Sequence, residues 1–250
     1  DVLVKSSNVG AAKAGLRVGA ERMAQYARRF GFGQRIAPDF GGEQPGMVEP
    51  VSKLRDSALA SMSMGYQIGV TPMQMAIYAM TLGNKGHYYQ PHAVKGIIRK
   101  ATHDTVTIGY DNWMIQLKED TWRVIREGMR GVVQEPGGTG SLARVKGIES
   151  AGKTGTAQNP HGKSHAWYIG FAPFENPQIA IVVMIENVGY GGSFSAPIAG
   201  MCIEHYLYRR LIRFDKDLPA KAPIAHDNSV KKKDVLSSSI RGTDKLSSTH

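Results

Sequence analysis

The order of hydrophobic patterns along the chain predicts an α+β fold, with helices first and then an antiparallel sheet backed by a closing helix. Three observations carry this. Apolar residues recur at helical spacing in segments between residues 18 and 133. From Ile148 onward the pattern changes to short apolar, β-branched runs separated by turn residues. A last helical pattern follows Ser195-Ala196-Pro197. Helices and strands segregated in this way pack as an α+β arrangement of layers.

The elements follow in order. Val18, Met23, Tyr26, Ala27 and Phe30 define a helix over 18–30, and Gly31-Phe32-Gly33 ends it. Residues 34–50, rich in glycine and proline, predict a long surface loop. Thr71-Pro72 supplies an N-cap and a proline at the first helical position. The helix 72–82 is apolar on most faces, which predicts a central, buried element whose methionines fill the core. Asn84 to Gly86 closes it. A short strand is expected over 93–99 and an amphipathic helix over 118–133. Gly137-Gly138-Thr139-Gly140 has the glycines of a phosphate cradle. No strand precedes it and no P-loop Lys-Ser/Thr follows, so it is read as a helix cap. Strands are expected over 148–158, 165–172 and 178–187. The short turn 173–177 makes the last two an antiparallel hairpin. A helix over 195–211 completes the folded part, residues 1–211. Residues 212–250, polar and basic, are expected to be a disordered tail.

Composition limits the function classes. At 250 residues and 42% hydrophobic content the chain can bury a substantial core. Its longest unbroken apolar run, Ile179 to Ile185, is far short of a membrane span. The formal net charge of +10 suits an anionic polymer or headgroup surface. The cations are dispersed apart from Lys231-Lys232-Lys233, and no nucleic-acid-binding motif appears, so no nucleic-acid partner is expected. Cys202 is the single cysteine, which rules out an internal disulfide, and its apolar helical surroundings predict a buried core residue. His161 and His165 stand four apart, but Pro160 and Gly162 argue against a helix and further ligands are missing, so no metal is expected. No Rossmann or Walker pattern occurs, and no cofactor is implied.

The chemistry-bearing segment is Ala151-Gly152-Lys153-Thr154-Gly155-Thr156-Ala157. In a strand, Lys153 and Gly155 share one face and Thr154 and Thr156 the other. Gly155 lets another backbone come close. A cation, two hydroxyls and bare strand suit a peptide laid alongside with its carboxylate held by Lys and Thr, although an ordinary glycine-rich strand end reads equally well from this segment alone. A second signal, Lys5-Ser6-Ser7-Asn8-Val9, contains Ser-x-Asn. Ser-x-Asn followed by Lys-Thr-Gly is the order found in penicillin-recognising enzymes, while helix capping is the ordinary alternative for Ser6 and Asn8.

With these motifs in place, the chain from about Lys5 to Leu211 resembles the transpeptidase domain of a class B penicillin-binding protein. The resemblance rests on the stretches KSSNVGAAKAGLRVGAERMAQYARRFGFG, SMSMGYQIGVTPMQMAIYAMTLGNKGHYYQPH, AGKTGTAQ, HAWYIGFAP and GGSFSAPIAG. Residues 5–33 look more like the division subclass. Residues 159–173 and 193–200 look more like the elongation, rod-shape subclass, which is the expected one. The resemblance implies a penicillin-binding-protein/β-lactamase-like fold, with an antiparallel sheet flanked by helices plus a helical subdomain. It implies acyl transfer from D-Ala-D-Ala stem peptides of peptidoglycan, with acylation by β-lactam antibiotics. It also implies membrane-embedded cell-wall partners, and a catalytic domain on the outer, periplasmic side of the cytoplasmic membrane.

By the same resemblance, Ser6 relays a proton and Asn8 binds the substrate amide. Lys153 holds positive charge over the cleft, and Thr154 and Thr156 meet the carboxylate. Gly155 admits the substrate strand, and the Thr156 N–H completes an oxyanion hole. The family's nucleophile lies in a Ser-x-x-Lys motif upstream of Ser-x-Asn, and none precedes Ser6 here. The chain is therefore expected to be the C-terminal part of a longer protein, incomplete at its N-terminus and inactive alone. A formal Ser-x-x-Lys at Ser229–Lys232 is in the wrong chain order and in a polar tail. Two alternatives remain from the residues: a β-lactamase or D,D-carboxypeptidase of the same superfamily, and a non-catalytic β-lactam-sensing or structural cell-wall protein.

Overall fold

The computed structural model describes residues 1–214, and these form an α+β fold. After an opening turn come α1 (Asn8–Val18) and α2 (Ala20–Arg29), separated by Gly19 at φ +82°. The helix predicted over 18–30 is thus the second of a pair. Helix α1 leaves little hydrophobic signature because Gly15 is its only buried residue while Val9, Leu16 and Val18 are exposed. The long loop that follows is interrupted by β1 (Met47–Val48), which pairs antiparallel with β2 (Ile68–Gly69) across α3 (Asp56–Ser63).

Helix α4 (Pro72–Gly83) begins at a complete capping box: Thr71 Oγ1 accepts from the Gln74 N–H, and Gln74 Oε1 accepts from the Thr71 N–H. The fully buried Gln74 also donates through Nε2 to the carbonyls of Gly31, Gln34 and Pro45 at 3.2, 3.0 and 2.8 Å. One side chain thereby starts the central helix and fastens the long loop to it. Met73, Met75 and Met80 pack, partly buried, into the clusters around this helix.

Two small ribbons follow, β3 (His87–Tyr89) with β6 (Asn112–Met114), and β4 (Gly96–Ile98) with β5 (Thr105–Thr107). Next comes α5 (Glu119–Gln134), then β7 (Ala151–Ala157), β8 (His165–Ala172) and β9 (Ile179–Ile185). These last strands form one antiparallel sheet in the order β7-β8-β9, with Lys153 opposite Ile169 and Gly155 opposite Trp167. Alternation gives the sheet two faces. Phe171 packs with Leu82, Ile115, Trp122 and Met129 from the α4 and α5 side. Ala172 and Tyr168 turn the other way, toward α6 (Ser195–Tyr208), where they meet Ile203, Leu207, Ala196 and Ala199.

Two expectations are corrected or extended at the C-terminal end. Cys202 is exposed, not buried. Helix α6 turns Ala196, Ala199, Ile203 and Leu207 inward, and Cys202 falls on the outer face with Ile198, one turn away. Residues Ile212–Phe214, at the start of the predicted tail, form a 3-10 turn, and the Arg213 backbone N–H donates at 2.6 Å to the buried Glu204 carboxylate. The rest of that tail, with Lys231–Lys233 and Ser229–Lys232, lies outside the described residues. Among the described residues no helix is long and apolar enough to cross a membrane.

Replacing Gln74 by Met keeps the volume and leaves three loop carbonyls and the Thr71 N–H without their partner. The expected loss is about 2–4 kcal/mol of unfolding free energy, read as a lower urea midpoint. An unchanged midpoint would show that water replaces Gln74 at no cost.

Candidate active site

The face of the sheet that carries Lys153, Gly155, Trp167 and Ile169 runs past the end of α4 and opens into a cleft of about 1000 Å³. Its opposite wall comes from the helical part: Ser6, Asn8, Ser63 and the segment 64–70. The opening turn, closed by Lys5 N–H to Asp1 O and Ser6 N–H to Leu3 O, holds Ser6 in the left-handed region at φ +52°. Ser7 then caps α1, its Oγ accepting from the Gly10 N–H at 3.2 Å. The capping role falls to the middle residue of Ser6-Ser7-Asn8, and the residues on either side of it line the cleft.

Lys153 crosses from the sheet to this wall. Its Nζ donates to Ser6 Oγ at 2.7 Å and to the Thr154 carbonyl at 2.9 Å. Burial pulls its pKa down to about 8 from the ordinary 10.5. The ammonium therefore still predominates at neutral pH, and its proton is easier to give up than that of a surface lysine. The Thr154 carbonyl accepts from Lys153, and in β7, an edge strand among the described residues, Thr154 and Thr156 stand two apart and so turn their backbone groups the same way.

The two threonine hydroxyls are held differently. Thr154 Oγ1 lies 2.8 Å from Thr139 Oγ1. Thr156 Oγ1 accepts from the Gly191 N–H at 3.4 Å. Thr139 belongs to the segment read as a helix cap. That segment does lead into a 3-10 turn, Ser141–Ala143, and it also brings a hydroxyl into the cleft. Nothing in the spacing of Thr139 signals this, because the contact depends on how α5 packs on β7. Gly138 sits so close to the end of α5 that a Cβ would lie 2.4 Å from the Val132 carbonyl.

The Gly191 backbone comes close to that of Gly155, and it is the missing side chain of Gly191, not that of Gly155, that permits the approach. A Cβ on Gly191 would lie 2.3 Å from the Gly155 carbonyl oxygen and 2.2 Å from that of Trp167. On the cleft face, a Cβ at Gly155 would meet Trp167 Cβ at 3.1 Å. His165 Nδ1 accepts from the Asn187 N–H and Trp167 lines the cleft. Among the described residues no three His, Cys, Asp or Glu side chains cluster as metal ligands. All six residues predicted for the site, Ser6, Asn8, Lys153, Thr154, Gly155 and Thr156, line this one cleft, although the two motifs lie some 145 positions apart in sequence. Tyr66 and Tyr190, also in the lining, were not singled out from the sequence.

Residues 1–204 match the model of the penicillin binding protein transpeptidase domain. Stage V sporulation protein D of Bacillus subtilis is 34% identical over 214 residues, which cover 80% of this chain and 32% of that protein. Penicillin binding protein 3 from Mycobacterium tuberculosis, solved in complex with aztreonam, superposes with a TM-score of 0.74 at 29% identity, over 88% of this chain and 52% of that one. Pseudomonas aeruginosa PBP2, solved with WCK 5153, gives a TM-score of 0.74 at 30% identity over 82% of this chain and 48% of that one. The chain belongs to the transpeptidase-domain family of class B penicillin-binding proteins. It spans about a third of the length of sequence relatives such as the Bacillus protein.

The lowered pKa of Lys153 has a thermodynamic consequence. Below about pH 8 both folded and unfolded chains carry the proton, and between about 8 and 10.5 the folded chain sheds it first. The unfolded state then binds more protons, so stability rises with pH through that window. Urea midpoints at about pH 7.5 and 9.5 should therefore diverge from those of Lys153→Met, which lacks the rise. Parallel profiles would place Lys153 in water.

Proposed function

We propose that this chain is the part of a serine D,D-transpeptidase that holds and orients the substrate, and that the nucleophilic serine comes from a Ser-x-x-Lys segment elsewhere in the same protein. The observation that carries the reading is the Lys153–Ser6 contact across a cleft bordered by β7, an edge strand among the described residues. The space between Trp167 and Ile169 on one wall and Ile68, Val70 and Met75 on the other is lined by apolar side chains.

In this reading, the D-Ala-D-Ala end of a peptidoglycan stem peptide lies along β7, with its carboxylate on the Thr154 and Thr156 hydroxyls in the field of Lys153. Asn8 binds the amide beside the reacting bond. The serine hydroxyl gives its proton to the lysine of its own Ser-x-x-Lys segment as its oxygen attacks the penultimate carbonyl, whose developing negative charge meets the Thr156 N–H and the serine's own N–H. The C–N bond breaks, and the departing D-Ala nitrogen takes a proton through Ser6, which Lys153 holds in place. An amine from a neighbouring stem then attacks the ester, the C–O bond breaks, and the amine's proton returns to the serine oxygen, joining the two strands and restoring the hydroxyl. A β-lactam has the same carboxylate and amide and acylates the same serine. The residues 159–173 and 193–200 favour the elongation branch of the family. The substrate places this domain outside the cytoplasmic membrane, beside membrane-embedded partners of wall synthesis.

The chain of 250 residues alone should take up no fluorescent penicillin, and the full-length protein should be labelled. Labelling of the isolated chain at any serine would overturn the division of roles. In the full-length protein Lys153→Ala should slow acylation by about 10²-fold or more, with Ser6→Ala acting in the same direction. An acylation rate unaffected by Lys153→Ala would remove that residue from the site.

A further inference from the structure

The cleft is crossed a second time. Tyr66 Oη donates to Gln158 Oε1 at 2.9 Å, joining the helical wall to the residue that follows β7. Both ends of this bridge are set on fixed turns. Tyr66 lies between Gly65 at φ +102° and Gln67 at φ +59°, with its N–H bonded to the Ser61 carbonyl and the Gln67 carbonyl bonded to the Glu49 N–H. The segment after Gln158 is held by Asn159 to Asn187 and by the Gly189 N–H to the Ser164 carbonyl.

We propose that Tyr66 and Gln158 determine specificity by forming an end stop on the substrate groove. This rests on the transpeptidase reading above. A carboxylate held at Lys153, Thr154 and Thr156 leaves the rest of the peptide only one direction along the edge of β7. Ala151 and Gly152 at the other end are buried, while Thr156 and Ala157 are exposed. The upstream part of the substrate therefore runs toward Gln158. Five residue steps separate Lys153 from Gln158, about 17 Å at roughly 3.4 Å per residue. Only Thr154 to Ala157 lie between the two crossings. A short acyl group fits within that interval. A longer or bulkier one must part the Tyr66–Gln158 hydrogen bond, so the bridge discriminates by what lies beyond the reacting dipeptide and leaves recognition of its carboxylate alone.

The test compares acylation of the full-length protein by 6-aminopenicillanic acid, which has no acyl substituent, and by piperacillin, which has a bulky one. The two share nucleus and carboxylate. In Tyr66→Phe, and separately in Gln158→Leu, the piperacillin-to-6-aminopenicillanic-acid ratio of second-order acylation constants should rise about threefold or more. The double variant should rise no further, because the residues act through one shared bond. A ratio unchanged in both single variants would overturn the inference, as would two increases that multiply in the double variant. A full-length protein that neither compound acylates would instead refute the transpeptidase reading, and the end stop with it.

Discussion

A lysine ammonium kept partly out of water between two walls is the constraint around which this molecule is organised. A charge in that position needs compensating hydrogen bonds, and Lys153 finds them in Ser6 from the helical wall and in a carbonyl of its own strand. To present that hydroxyl the opening turn holds Ser6 at positive φ, and Ser7 takes over the capping of α1. The Ser-x-Asn loop is thus shaped by two demands, helix initiation and contact with Lys153, and the sequence gives each its own serine.

The walls are made rigid by close backbone contacts as much as by side-chain packing. Glycines at 138, 191 and 192 each stand where a Cβ would overlap a neighbouring carbonyl: Val132, Gly155 with Trp167, and Thr139 respectively. Together they bring the end of α5, the strand β7 and the loop before α6 into one unit, with Thr139, Thr154 and Thr156 at its surface. Behind it, α4 is anchored by Gln74 and by the buried Arg126, whose guanidinium donates to the Gly83 and Phe174 carbonyls and lies over the Phe171 and Phe174 rings.

Much of this was legible in the sequence where local and global signals agree. Thr71-Pro72 announces a helix start, and the apolar strands 165–172 and 179–185 announce an antiparallel hairpin. The two motifs were readable as chemistry because each places hydroxyl, amide or cation on a short, defined geometry. Helix α1 was missed because it buries only a glycine, and Cys202 was misplaced because a run of apolar residues hides which helical face turns inward. Thr139 and Tyr66 were missed for another reason. Their roles arise from tertiary contacts fifteen and ninety-two positions apart, and no local pattern encodes such a distance.

If Lys153 and Ser6 work through the contact between them, their contributions to acylation cannot be independent. A double-mutant cycle on the full-length protein, with Ser6→Ala, Lys153→Met and both together, measures this directly. The account predicts that the double variant is acylated about as slowly as the more damaged single variant. Single effects that multiply in the double variant would contradict it, since each residue would then act without the other.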